Sequence, residues 1–89
     1  MIGKMALSMA GHDRGTCYLV LKQDKNTVWL ADGRIRGVLN PKKKNCKHIQ
    51  ICGKVFTENE IQLFFENPAW ADNMIREKAD QIYKIRKEA

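Results

Sequence analysis

The residues of this chain that could do chemistry crowd into its first half, and most of them are cations. Pro41-Lys42-Lys43-Lys44-Asn45-Cys46-Lys47-His48 sets four lysines within six positions. Like charges at that density repel one another, and a bound polyanion relieves the repulsion. Ammonium groups on flexible stems suit phosphate oxygens as mobile point charges, which position a ligand without reading it. Pro41 stiffens the start of the run and is expected to keep it out of a strand before Cys46. Arg14, Arg34, Arg36 and Lys54 add to the same segment: Met1 to Lys54 holds eleven basic and three acidic residues, a balance of +8. Val55 to Ala89 holds five basic and seven acidic, a balance of −2. The first segment suits a polyanion and the second does not.

A second feature is Ser8-Met9-Ala10-Gly11-His12-Asp13-Arg14-Gly15-Thr16, where Gly11 and Gly15 bracket His12, Asp13 and Arg14. Glycine tolerates positive φ and close backbone approach, so such a loop can lie against a phosphate chain. His12 has the chemistry to bond a phosphate or a 2′-hydroxyl, although a plain loop histidine needs no role. Asp13 is expected to cap the loop through its own backbone rather than to meet a ligand.

Catalytic and metal chemistry find little support. There is no Ser-His-Asp set, no Gly-Lys-Ser/Thr phosphate loop and no glycine-rich dinucleotide fingerprint. Cys46, His48 and Cys52 share parity, but positions 48 and 52 on one strand stand ~13 Å apart, too far for one tetrahedral zinc. With no Cys-x-x-Cys either, neither a metal nor a cofactor is expected, and the chain reads as a non-enzyme. Three cysteines cannot all pair within one chain, which points to a reducing, cytoplasmic setting. No apolar run reaches the ~18 residues of a membrane helix, and Met1 to Ala10 is a poor signal peptide.

The elements that must position these residues change period near residue 55. Met5–Met9, Thr16–Lys22, Thr27–Ala31, Arg34–Val38 and Lys47–Cys52 read as five short strands, with polar Gln23–Asn26 and Asp32-Gly33 as turns. Alternation turns Val28 and Leu30 inward and Trp29 outward, where it could stack on an unpaired base but is rather expected to be covered by the helices. Whether Tyr18 packs or stacks on a base is open. Cys17 is expected to fill the core beside Leu19 and Leu21. Thr57-Glu58-Asn59-Glu60 matches a capping box, and Asn67-Pro68 opens a second helix with Ala71, Ile75, Ala79 and Ile82 on one face. Its polar back is Arg76, Glu77, Asp80, Lys84 and Lys87. Phe64, Phe65 and Trp70 form an aromatic face that needs burial. The reading is a mainly β chain with C-terminal α: a five-stranded barrel over residues 1–55, then a helical extension over 56–89. Its first helix is expected to pack on the barrel and to hold the second loosely.

Ala6 to Val20 resembles a KOW motif, the strand-loop-strand segment of several ribosomal proteins and transcription elongation factors. Val28-Trp29-Leu30-Ala31-Asp32-Gly33 with Arg36, and then Pro41 to Ile49, resemble the bacterial KOW-domain RNA-binding proteins related to the fourteen-e class of large-subunit ribosomal proteins. The likeness covers about three-fifths of the chain and implies an SH3-like barrel, RNA binding and no catalysis.

The expected function is therefore docking on structured RNA, above all large-subunit ribosomal RNA, with ribosomal proteins as possible neighbours and a monomer when free. Lys42, Lys43, Lys44, Lys47, Arg34 and Arg36 would supply the electrostatics. Gly11, His12, Arg14 and Gly15 would approach the sugar-phosphate backbone. Two other readings are a transcription-elongation-type KOW module on nascent RNA or polymerase, and a protein-interaction module that uses the aromatic helical face.

Overall fold

A computed structural model describes the backbone of residues 1–88 and the side chains of residues 1–85. Ala89 and the side chain of Lys87 lie outside the described residues. The chain is mainly β with two C-terminal helices: β1 (Lys4–Ser8), β2 (Cys17–Asp24), β3 (Thr27–Ala31), β4 (Lys42–Asn45), a 3-10 turn (Cys46–His48), β5 (Ile49–Lys54), α1 (Glu58–Glu66) and α2 (Pro68–Glu88). All five strands form one antiparallel sheet in the order β4-β3-β2-β1-β5.

That order leaves β4 and β5 at opposite edges, yet only the three residues Cys46–His48 separate them in sequence. A flat five-stranded sheet would hold its edges ~19 Å apart, whereas three 3-10 residues advance only ~6 Å. The sheet must therefore curl until its edges approach. Register shifts between Met5 and Ala6 and between Val20 and Lys22 supply bends of the kind that curl a sheet. The Cys46 N–H donates to the Asn26 carbonyl at 2.7 Å and the Met9 N–H to the His48 carbonyl at 2.8 Å, fixing the turn against both sides.

Strand alternation divides the apolar side chains between two clusters. Ala6, Tyr18, Val20, Val28 and Leu30 fill the inside of the curl, with Cys46, Ile49 and Ile51 against them. On the outer face, Met5, Leu7, Cys17, Leu19, Leu21 and Ala31 meet Phe56, Ile61 and Phe64, and Ala71, Ile75 and Ala79 of α2. Cys17 is buried beside Leu19 and Leu21 as expected, but beneath the helices rather than inside the curl. The capping box of α1 forms in both directions: the Glu60 N–H donates to Thr57 Oγ1 at 3.2 Å, and the Thr57 N–H to Glu60 Oε1 at 3.0 Å.

Three expectations need correction. Arg34–Val38 is not a strand. Asp32 Oδ1 accepts the N–H groups of both Arg34 and Arg36 at 2.9 Å, and the Arg36 carbonyl accepts from Asp32 and Gly33, folding the segment into a turn. The fourth strand is instead the lysine run. Pro41 immediately precedes it, and at the start of an edge strand a missing N–H forfeits no ladder bond.

Nor is α2 loosely held. Ala71, Ile75 and Ala79 are buried, Asp72 Oδ1 accepts the Val38 N–H at 3.0 Å, and Tyr83 Oη accepts the Cys17 N–H. Gly33 (φ +77°) lies so close to α2 that a Cβ there would collide with the Asp72 carbonyl, and one at Gly37 would meet the Asp72 carboxylate at 2.7 Å. These contacts bind the β3–β4 loop to the helix.

The aromatic face is only partly buried. Phe64 is fully enclosed and packs edge-on to Phe56 and Trp70, with centroids 4.9 and 5.3 Å away, while Phe65 and Trp70 remain 45% and 48% exposed. At helical spacing one aromatic of the Phe64-Phe65 pair faces the core and its neighbour turns away.

Candidate nucleic-acid interface

The loop joining β1 to β2 is a closed, hydrogen-bonded unit. Gly11 and Gly15 both have positive φ (+85° and +91°), the Gly15 N–H donates to the Ser8 carbonyl at 2.8 Å, and the Thr16 N–H donates to the Asp13 carbonyl at 2.9 Å. Gly11, His12, Arg14 and Gly15 are all exposed, so the loop presents backbone and cation together.

Asp13 has a larger part than its backbone capping. Its Oδ1 accepts from Ser8 Oγ at 2.9 Å and from Lys44 Nζ at 3.0 Å. Its Oδ2 accepts from Tyr18 Oη at 2.7 Å and pairs with Lys42 Nζ at 3.2 Å. Lys44 Nζ also donates to the Ala10 carbonyl at 2.9 Å. One carboxylate thus ties the glycine loop, β2 and the lysine strand together. Burial pushes the Asp13 carboxyl up, but the bonds from Tyr18, Lys44, Ser8 and Lys42 outweigh it and hold the group well below the usual carboxylate range. Burial, and next the bond to Asp13, push the Tyr18 hydroxyl up.

The lysine run is not a uniform brush. Lys42 and Lys44 pair with Leu30 and Val28 and share one side of the strand; Lys43 pairs with Trp29 and points to the other. The Lys44 side chain is 10% exposed and that of Lys42 33%, so both are structural as well as cationic. Lys43 and Lys47 are exposed. A single carboxylate answers two ammonium groups at Asp13, which leaves about one positive charge over.

The arginines of the β3–β4 loop part company. Arg34 makes a two-pronged bond to the Asp80 carboxylate of α2 at 2.8 and 3.0 Å, both side chains about half exposed. Among the described residues the Arg36 guanidinium donates only to the neutral Asn40 amide oxygen, at 3.4 Å. It lines an open cleft of about 360 Å³ together with His12, Thr16, Tyr18, Ile35 and Lys42, and with the carboxylates Asp13 and Asp32. The structure therefore gathers Gly11, His12, Gly15, Arg36, Lys42 and Lys44 around one cleft and loop. It sends Arg34 to the helix, Lys43 to the opposite side of β4 and Lys47 to the 3-10 turn. Among the described residues no ion pair engages Arg14, Arg36, Lys43 or Lys47.

Sequence reasoning missed Ser8 and Tyr18 as partners of Asp13. The fifth position on either side of an aspartate carries no local signal; only the β1–β2 pairing brings the two together. It also missed Lys22, which stands over Trp29 at 4.8 Å from the ring centroid, with Lys43 at 5.7 Å. Trp29 is not packed under the helices as expected: it is half-buried and belongs to neither apolar cluster among the described residues. Also among the described residues, no group of three or more His, Cys, Asp or Glu is placed to hold a metal, and no helix is long and apolar enough to cross a membrane. No protein-family model matches this chain, and no curated protein is significantly similar to it in sequence.

Proposed function

We propose that the protein is a non-catalytic RNA-binding module built on an SH3-like barrel of KOW type, and that it docks on structured RNA of the large ribosomal subunit. The curled five-stranded sheet, with a 3-10 turn between its two edge strands, supports the barrel reading. The observation that carries the RNA reading is the Asp13 cluster: it fuses the glycine loop to the lysine strand, making one cationic surface of two segments 31 residues apart. Lysines on an edge strand also deter strand addition by other chains, which would account for exposed Lys43. It does not account for Lys44, whose ammonium is enclosed against the loop.

Of the cations proposed for this surface, Arg14, Arg36, Lys43 and Lys47 have no ion pair among the described residues, and the Asp13 cluster adds about one net charge. Five phosphate contacts give log K against log salt a slope of about −3.5 to −4.5. The test is fluorescence anisotropy with a labelled fragment of large-subunit ribosomal RNA across a salt series. Replacing Arg14, Arg36, Lys43 and Lys47 together by glutamine leaves the Asp13 cluster intact and should reduce the slope to about −1. An unchanged affinity and slope would refute the reading.

The protein-interaction reading keeps one observation in its favour: Leu63, Phe65 and Trp70 are 48%, 45% and 48% exposed around α1 and the start of α2. If that surface is the interface, the four-glutamine variant keeps its partner and Phe65→Ser loses it. The transcription-elongation reading shares the cationic surface and differs in which RNA is recovered from cells.

A further inference from the structure

Three side chains outside the Asp13 cluster form a row across three strands. Lys22 of β2 is in register with Trp29 of β3, and Trp29 is in register with Lys43 of β4. The register shift after Val20 makes this row: it brings Lys22 opposite Trp29 where an unbroken ladder would have set Leu21. Both lysines are exposed and the indole is partly buried, with ammonium groups 4.8 and 5.7 Å from its centroid.

We propose that the Lys22–Trp29–Lys43 row is a second subsite that takes an unpaired base of single-stranded nucleic acid on the indole and its flanking phosphates on the two ammonium groups. The proposal rests on the RNA-binding reading and adds a place where the strand is unpaired. An aromatic face flanked by cations matches a nucleotide on both counts, because every base has a stackable face and every linkage carries a negative charge. The two lysines disfavour a cationic partner at the same spot. Duplexes do not fit, since a paired base offers only its edge while its faces are stacked on neighbours. In the free protein the ammonium groups rest on the ring as exposed cation–π contacts, which are weak and held on flexible stems. A base can displace them onto its own phosphates. Lys43 faces away from Lys42 and Lys44 across the edge strand, so one RNA strand passing over β4 would meet both subsites.

The test uses tryptophan emission, since Trp70 is the second of two tryptophans and Trp70→Phe leaves Trp29 as the sole reporter. This variant of the full chain is titrated with a ten-nucleotide oligouridylate and with a blunt RNA duplex of equal length, anisotropy of the labelled RNA being read in parallel. Oligouridylate should quench Trp29 saturably, and the duplex should bind with little quenching. Trp29→Leu should weaken oligouridylate binding about 5- to 150-fold and duplex binding less than about twofold. The inference is overturned if bound oligouridylate leaves the emission unchanged, or if Trp29→Leu weakens both RNAs equally; the RNA-binding reading survives either result. If neither RNA binds by anisotropy, both fall. The quenching arm needs no change at Trp29, so a folding defect in Trp29→Leu cannot blur the result.

Discussion

Asp13→Ala is the substitution with the most to reveal, because one side chain is asked to hold the loop, β2 and β4 together. The change removes the acceptor of Ser8 Oγ, Tyr18 Oη, Lys44 Nζ and Lys42 Nζ. What it leaves behind matters more than what it deletes. Lys44, with its side chain 10% exposed, keeps only the Ala10 carbonyl for its ammonium, and Tyr18, 3% exposed, loses the acceptor of its hydroxyl. Removing one partner from an enclosed ion pair typically costs 3–5 kcal/mol, and Lys42, one-third exposed, can turn to water at little cost, so about 3 kcal/mol is expected. Total stability for a chain of this length is roughly 4–13 kcal/mol, so the variant should fold but melt about 12–24 °C lower. Circular dichroism during thermal and urea unfolding reads the change. A double-mutant cycle with Lys44→Met should give a coupling of about 1–3 kcal/mol, since most of the damage in Asp13→Ala is the stranded ammonium. A loss under ~1 kcal/mol, or additivity within ~0.5 kcal/mol, would refute the claim that Asp13 fastens the loop to the lysine strand.

The remaining predictions concern pH and the loop over α2. Asp13 is depressed in the folded state, so its contribution is present above its unfolded value, near 3.8, and drains away as pH falls through the folded value; urea unfolding below about pH 4 should show a steep loss that Asp13→Asn lacks. Tyr18 is raised, so its contribution is complete below its unfolded value of 10.0 and is lost as pH climbs above it; Tyr18→Phe should flatten the alkaline limb of the same profile. Gly33→Ala places a Cβ against the Asp72 carbonyl at a backbone φ of +77°, and chemical denaturation should show a loss above about 2 kcal/mol. Arg34→Gln breaks an ion pair whose side chains are 53% and 55% exposed, and should change unfolding free energy by less than ~1 kcal/mol.

The legible parts of this fold were those written in local patterns. Thr57-Glu58-Asn59-Glu60 announces its capping box within four residues, and Ala71, Ile75 and Ala79 announce a buried stripe. Val28, Leu30, Ile49 and Ile51 alternate as strands must, and face inward together. The lysine run misled because charge and proline argue against a strand, whereas an edge strand tolerates both: its outer side needs no ladder partner. Arg34–Val38 misled in the opposite direction, since an arginine-isoleucine-arginine alternation looks like a strand until Asp32 captures two of its N–H groups. The hold on α2 was invisible because Asp72 meets Val38 and Tyr83 meets Cys17 across 34 and 66 residues. At the candidate site, charge singled out segments but could not rank their members. Only tertiary pairing separates Lys44, locked to Asp13, from Lys43, which stands over Trp29 on the other side.

The claim that this cationic surface serves RNA is tested most directly by ultraviolet crosslinking in the native cells, followed by sequencing of the attached nucleic acid and mapping of the crosslinked residues. The account predicts a sharp peak in large-subunit ribosomal RNA, with adducts in the Gly11–Gly15 loop, at Trp29 and between Arg36 and Lys47. No nucleic acid above background, or adducts confined to Leu63, Phe65 and Trp70, would contradict it.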